Sequence, residues 1–225
     1  MTTLNPYQIL DLLNRPRPLY LVKIDLSGAS LYWVDFSECK LGMANFSRAD
    51  LNWATFAGAD LRRADMNMAN LFEAHLQRAN MNEANLTRCN LTRADLGKVE
   101  LVDATIVEAN LSRANVSKAT LIRANLNNSN LSRADLSKSN FSGANLSGAD
   151  LSMANMFETN LSGANLVGAN LSKADLTAAN LSGADLREAI LTGAEMQDTN
   201  LEGAKMTDAI LPDGSTYVPP KSDSG

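Results

Sequence analysis

Side chains able to do chemistry are few in this 225-residue chain, and their spacing serves none of the common reactions. A zinc centre needs several His, Cys or carboxylate ligands close together, yet His75 is the only histidine and no cysteine pair stands at ligand spacing. Cys39 and Cys89 are the only cysteines and make no framework of a small secreted domain. Serine recurs in runs such as ANLSGAD, but without a Gly-x-Ser-x-Gly elbow or a base partner, so it reads as turn material. The glycines follow a fixed interval, unlike those of a phosphate-binding loop. No catalytic residue, metal ligand or cofactor is expected, and the chain is read as not an enzyme.

The composition agrees. Leu (33), Ala (31) and Asn (24) supply 88 of the 225 residues, while aromatics are only 5%. Apolar residues reach 45%, too many for disorder. With 20 basic and 25 acidic residues the net charge is −5, which argues against a general nucleic-acid binder. The first twenty residues carry Asp11, Asn14, Arg15 and prolines where a signal peptide needs an apolar run, and no segment approaches the roughly 18 apolar residues of a membrane span. A cytoplasmic protein without membrane contact is expected.

Whatever the chain presents to a partner must be positioned by a repeat. From Leu21 to Leu211 every fifth residue is apolar, 39 positions without a slip and 28 of them Leu. Two residues before each of these, from Ile24 to Ala209, 29 of 38 positions are Ala; between the two, 27 of 38 are Asn or Asp. A period of five fits neither a helix nor a strand, so the chain must turn in every pentad. With the small residue and the Leu inward, the Asn or Asp between them is expected to point outward as the corner, bonding nearby amides. Stacked coils then pair their backbones at about 4.8 Å spacing. All six prolines lie outside residues 21–211, as a ladder that uses every donor requires.

Runs such as ANLSGADLSMAN and ANLVGANLSKADL closely resemble the consensus of the pentapeptide-repeat family, over about 85% of the chain and in a style similar to cyanobacterial members. The resemblance implies an all-β fold: a right-handed quadrilateral parallel β-helix, a solenoid of about twenty residues per coil. Residues 21–211 would then form about nine and a half coils and a rod on the order of 45 Å long. Residue identities support twenty independently: Trp33 falls above Trp53, Arg93 above Arg113 and Arg133, and Lys98 above Lys118 and Lys138. Cys39 and Cys89, two and a half coils apart, would be inward and beyond disulfide reach.

Three segments follow. Residues 1–20 hold a short capping α-helix over 6–14, with Asn5 as cap and Pro6 in the first turn, then a connector through Pro16 and Pro18. Residues 21–211 are the β-helix, and 212–225 a turn at Pro212-Asp213-Gly214 followed by a flexible tail. No C-terminal apolar helix like those that dimerise some family members is present, so a monomer or weak end-to-end association is expected.

Information for a partner lies in the outward positions. Seven of the thirteen glycines, from Gly143 to Gly203, sit two residues after an inward apolar residue, which leaves the C-terminal half bare. Residues 1–140 carry 16 basic and 14 acidic groups, a net of +2; residues 141–225 carry 4 and 11, a net of −7. Two patches stand out before residue 140, one aromatic and one basic. The aromatic patch is Tyr32, Trp33, Trp53 and Phe72, an exposed binding surface unless residues 1–20 fold back over it. In the basic patch Arg93, Arg113 and Arg133 form one ladder, and Arg78, Lys98, Lys118 and Lys138 another on an adjacent side, with Asp95, Asp103 and Asp135 near enough to screen them.

The expected role is a non-catalytic rigid scaffold that offers this surface to an unknown protein partner. The family resemblance implies an alternative, a duplex-DNA mimic that modulates DNA gyrase or topoisomerase. Such proteins need long acidic ladders, whereas the middle of this chain is basic. Direct nucleic-acid binding is not expected, because basic groups at the coil spacing do not match phosphates along a strand and the net charge is −5.

Overall fold

The computed structural model describes Asp11 and residues 18–218. Parallel bridges join each bridge residue to the one twenty positions on, from Tyr20 with Lys40 to Ile190 with Ile210. Twenty residues are four pentads, so every coil has four sides. The predicted helix over 6–14 and the tail over 221–225 lie, apart from Asp11, outside the described residues, as does most of the segment expected to cover the tryptophans.

One pentad, residues 45–49, shows why the chain bends and what holds it. Asn45 N donates to Ile24 O at 2.8 Å, Phe46 N to Asp65 O at 2.7 Å and Arg48 N to Asn67 O at 2.8 Å, so three amides bond to neighbouring coils. Ala49 N closes a turn on Phe46 O at 2.9 Å, and Ser47 N, the amide the ladders leave over, donates to Asn45 Oδ1 at 3.0 Å. All five donors are satisfied, as a half-buried backbone demands. The Asn or Asp side chain is thus the internal cap for one amide per pentad.

The corner is therefore not at Asn or Asp, as the sequence suggests, but at the two residues after each Leu. Those two are the central residues of the turn, and the second has positive φ, +59° at Met43 and +58° at Arg48. A negative φ followed by a positive one is the type II pattern. All 38 such positions from residue 23 to 208 share it, 29 with side chains and nine with glycine. A side chain there costs on the order of 1–2 kcal/mol, which the surrounding ladder overrides. Asn and Asp instead sit mid-side as the bridge residues, half-buried and stacked: Asn45 Nδ2 donates to Asp25 Oδ1 at 3.1 Å, and Asn90 Nδ2 to Asn70 Oδ1 at 2.8 Å. His75 is likewise a bridge residue, between Thr55 and Asp95.

Inside, Leu and Ala form one continuous core. Near the N-terminal end Phe36 stacks on Phe56 at 5.2 Å, and Phe46 meets both edge-on at 5.6 and 5.7 Å. Where a hydroxyl replaces Ala it bonds to a backbone carbonyl, as Ser129 Oγ does to Leu126 O at 2.7 Å and Thr159 Oγ1 to Leu136 O at 2.9 Å. Cys39 and Cys89 are buried and form no disulfide, as expected; burial pushes the Cys89 thiol up to about 12. At the far end the chain doubles back, Ile210 pairs antiparallel with Thr216, and Tyr217 packs against the core.

Candidate interaction surface

The second turn residue of each pentad is mostly exposed and sits above its counterpart twenty residues away, so each corner of the coil carries one column of side chains. One column reads Trp33, Trp53, Glu73, Arg93, Arg113, Arg133, Met153. Trp33 and Trp53 stack with centroids 5.2 Å apart and planes 10° apart, and Phe72 meets Trp53 edge-on at 5.8 Å. Trp33 is 67% exposed and Tyr32 58%, so both present apolar surface to solvent. The buried Oδ1 of Asn52, in the same stretch, has no hydrogen-bond partner.

Glu73 joins the aromatic and basic halves. Its Oε2 accepts from Trp53 Nε1 at 3.0 Å and its Oε1 from Arg93 Nη1 at 3.1 Å. The indole hydrogen bond, then that of Arg93, holds the Glu73 carboxyl below its ordinary value. Trp33 and Trp53 of the aromatic patch and the Arg93, Arg113, Arg133 ladder of the basic patch are thus one column, while the Arg78-to-Lys138 ladder stands on the adjacent corner. Sequence reading misses Glu73, although the twenty-residue register that stacks Trp33 on Trp53 leads from Trp53 through position 73 to Arg93.

Charge compensation divides individual arginines rather than whole corners: Arg93 is paired with Glu73, while Arg48, on the corner of Arg88, has no carboxylate within 4 Å among the described residues. On two corners, other arginines pair with a carboxylate one coil away: Arg63 with Glu83 at 2.8 Å, Arg123 with Asp103 at 2.6 Å and Arg88 with Glu108 at 2.7 Å. Asp103 therefore serves Arg123 and does not screen the Arg113 ladder. Among the described residues no carboxylate lies within 4 Å of the charged groups of Arg113 or Arg133, nor of Arg78, Lys98 or Lys118 on the adjacent corner. Lys138, which ends that second column, is 3.6 Å from Glu158 and lies over the Phe157 ring. Each ladder edges a shallow groove. That of 580 Å³ runs from Phe72 past Arg93, Arg113 and Arg133 to Met153, and that of 490 Å³ holds Gln77, Arg78, Lys98 and Lys118.

Known proteins share this coil. The family described as pentapeptide repeats matches residues 109–148, 134–172, 154–193 and 169–208, and that described as a pentapeptide repeat region matches 29–106. The chain belongs to the pentapeptide-repeat family. Its solenoid is the family's right-handed quadrilateral β-helix. Among solved structures this pentapeptide-repeat protein is similar to HetL, involved in heterocyst differentiation regulation in the cyanobacterium Nostoc sp. strain PCC 7120. The two are 31% identical over 95% of this chain and 100% of that one, with a TM-score of 0.57. The pentapeptide-repeat protein alr5209 of the same cyanobacterium is 45% identical over 36% of this chain and 66% of its own, with a TM-score of 0.35. A trypsin-treated variant of the plasmid-mediated fluoroquinolone resistance protein QnrB1 is 22% identical over 83% of this chain and 89% of its own, with a TM-score of 0.44. No curated protein matches the chain.

Proposed function

We propose that this pentapeptide-repeat protein is a rigid cytoplasmic scaffold without catalytic activity, whose Trp33-to-Met153 column binds another protein. The observation that carries this reading is that Arg113 and Arg133 have no ion-pair partner among the described residues and continue the column of the exposed Trp33 and half-buried Trp53, whereas Arg63, Arg88 and Arg123 are each neutralised within the fold. Like charges stacked at the coil spacing weaken the fold slightly, so such a ladder serves something outside it. Aromatic and arginine side chains are also those that anchor protein interfaces. The likeness to HetL, a protein involved in regulating differentiation, favours a regulatory interaction over a structural one.

A DNA-mimic role is less well supported, because acids do not line up in an unbroken column. The bridge series Asp135, Asn155, Asp175, Glu195 alternates before its single acidic neighbour pair. The test is a pull-down from the organism of origin with the native protein, Trp33→Ala/Trp53→Ala and Arg113→Glu/Arg133→Glu. Loss of the same captured protein from both variants supports the reading; an unchanged set of captured proteins overturns it.

A further inference from the structure

The groove beside the arginine ladder has a length and a chemical order, and these select a partner class. It begins at Phe72, against which Trp53 packs, passes Arg93, Arg113 and Arg133, and ends at Met153. Its floor is short-chained, with Ser112, Ser132 and Ser152. Phe72 and Met153 are four coils apart, about 19 Å at the β-ladder spacing. The three arginines lie between them, one per coil, their backbones about 4.8 Å apart.

From this order we infer that the groove takes an acidic amphipathic helix of the partner, lying along the rod axis with its carboxylates on the arginines and an apolar residue at each end. The inference rests on the scaffold reading above. In a helix, residues three and four apart rise about 4.5 and 6.0 Å, and seven apart about 10.5 Å, so acids at i, i+3 and i+7 meet successive coils to within about 1 Å. An extended strand repeats a face about every 6.6 Å and loses register by nearly 2 Å per coil. About thirteen helical residues span Phe72 to Met153. Asp150, which also lines the groove, repels acids beside it and so favours their placement on the arginines. Free Arg113 and Arg133, against the Glu73-bound Arg93, place the strongest attraction mid-groove.

The probe is a labelled alanine-based helical peptide carrying glutamates at i, i+3 and i+7 and a leucine at each end. Its control has the same composition with the glutamates spread around the helix, and a single-stranded oligothymidylate tests the nucleic-acid alternative. Anisotropy reports binding, and tryptophan emission reports where it occurs, since both tryptophans of the chain stand at one end of this groove. The expected result is at least about tenfold weaker binding of the control peptide and of Arg113→Glu/Arg133→Glu to the striped peptide. Lys98→Glu/Lys118→Glu, an equal charge change at the neighbouring groove, is expected to shift binding less than about threefold. Circular dichroism confirms that both variants keep the fold. Equal binding of striped and control peptides, equal loss in both variants, tighter binding of the oligonucleotide, or no binding at about 1 mM striped peptide overturns the helix. If the pull-down nevertheless depends on Arg113 and Arg133, only the helix falls and the scaffold reading stands.

Discussion

The indole N–H of Trp53 donates to the Glu73 carboxylate at 3.0 Å, one coil further along the same corner of the rod. Because the other oxygen of that carboxylate accepts from Arg93, an aromatic pair and an arginine ladder become one surface held by a single half-buried acid.

This acid has a pH signature. Its pKa is lowered in the fold from an ordinary 4.5, so the favourable contact is fully present above about pH 4.5 and is lost as pH falls through the lower folded value. Tryptophan emission is expected to be constant from neutrality down to about pH 4.5 and to shift only below it. Glu73→Gln should remove that step, leaving only changes due to global acid unfolding. A step centred above pH 4.5 in the native protein contradicts the geometry.

Asn45 caps Ser47 N and donates to Asp25. Asn45→Ala leaves a half-buried amide unpaired and is expected to cost about 1–3 kcal/mol, whereas Asn45→Ser, whose hydroxyl oxygen still accepts from that amide and adds no charge between Asp25 and Asp65, costs less. Denaturant midpoints of the two variants check the order. Equal midpoints would mean that the side chain is not the cap.

Gly163 has φ +64° and nothing within 4 Å of a Cβ built on it, so substitution there meets backbone strain alone. Gly163→Ala is expected to destabilise by about 1 kcal/mol, and Gly163→Val by more. At Arg113, with φ +59°, Gly relieves strain but loosens the unfolded chain, so Arg113→Gly should be close to neutral. Urea titrations measure all three.

The Cys89 thiol is buried, with a pKa of about 12. Its folded form is favoured while neutral, and that advantage fades as pH rises past the ordinary thiol range. At pH 8 a disulfide exchange reagent should label neither Cys89 nor the equally buried Cys39 until denaturant is added. Rapid labelling of the native protein would refute their inward placement.

Much of the fold is legible in the sequence, because the inward Leu and Ala repeat without a slip and the coil length is marked by residues that stack, Trp33 on Trp53 above all. The phase of the bend is not. A five-residue period leaves open which residues turn, and Asn or Asp suits a corner as readily as the cap it proves to be. Glycine held the clue, since Gly143 and Gly163 mark the position where φ is positive, but they read as bare surface. In the site, residue type alone separates aromatic from basic side chains, and Glu73, unlike either neighbour, belongs to neither class although it links them.

The central claim, that one corner of the rod is the interface, is tested most directly by a photoreactive amino acid placed at position 113 or at position 163 in living cells. Position 163 lies on the glycine column two sides away. A single adduct of defined mass from position 113, abolished by Trp33→Ala/Trp53→Ala and absent from position 163, is the predicted result. The same adduct from both positions, or one from position 163 alone, would contradict it.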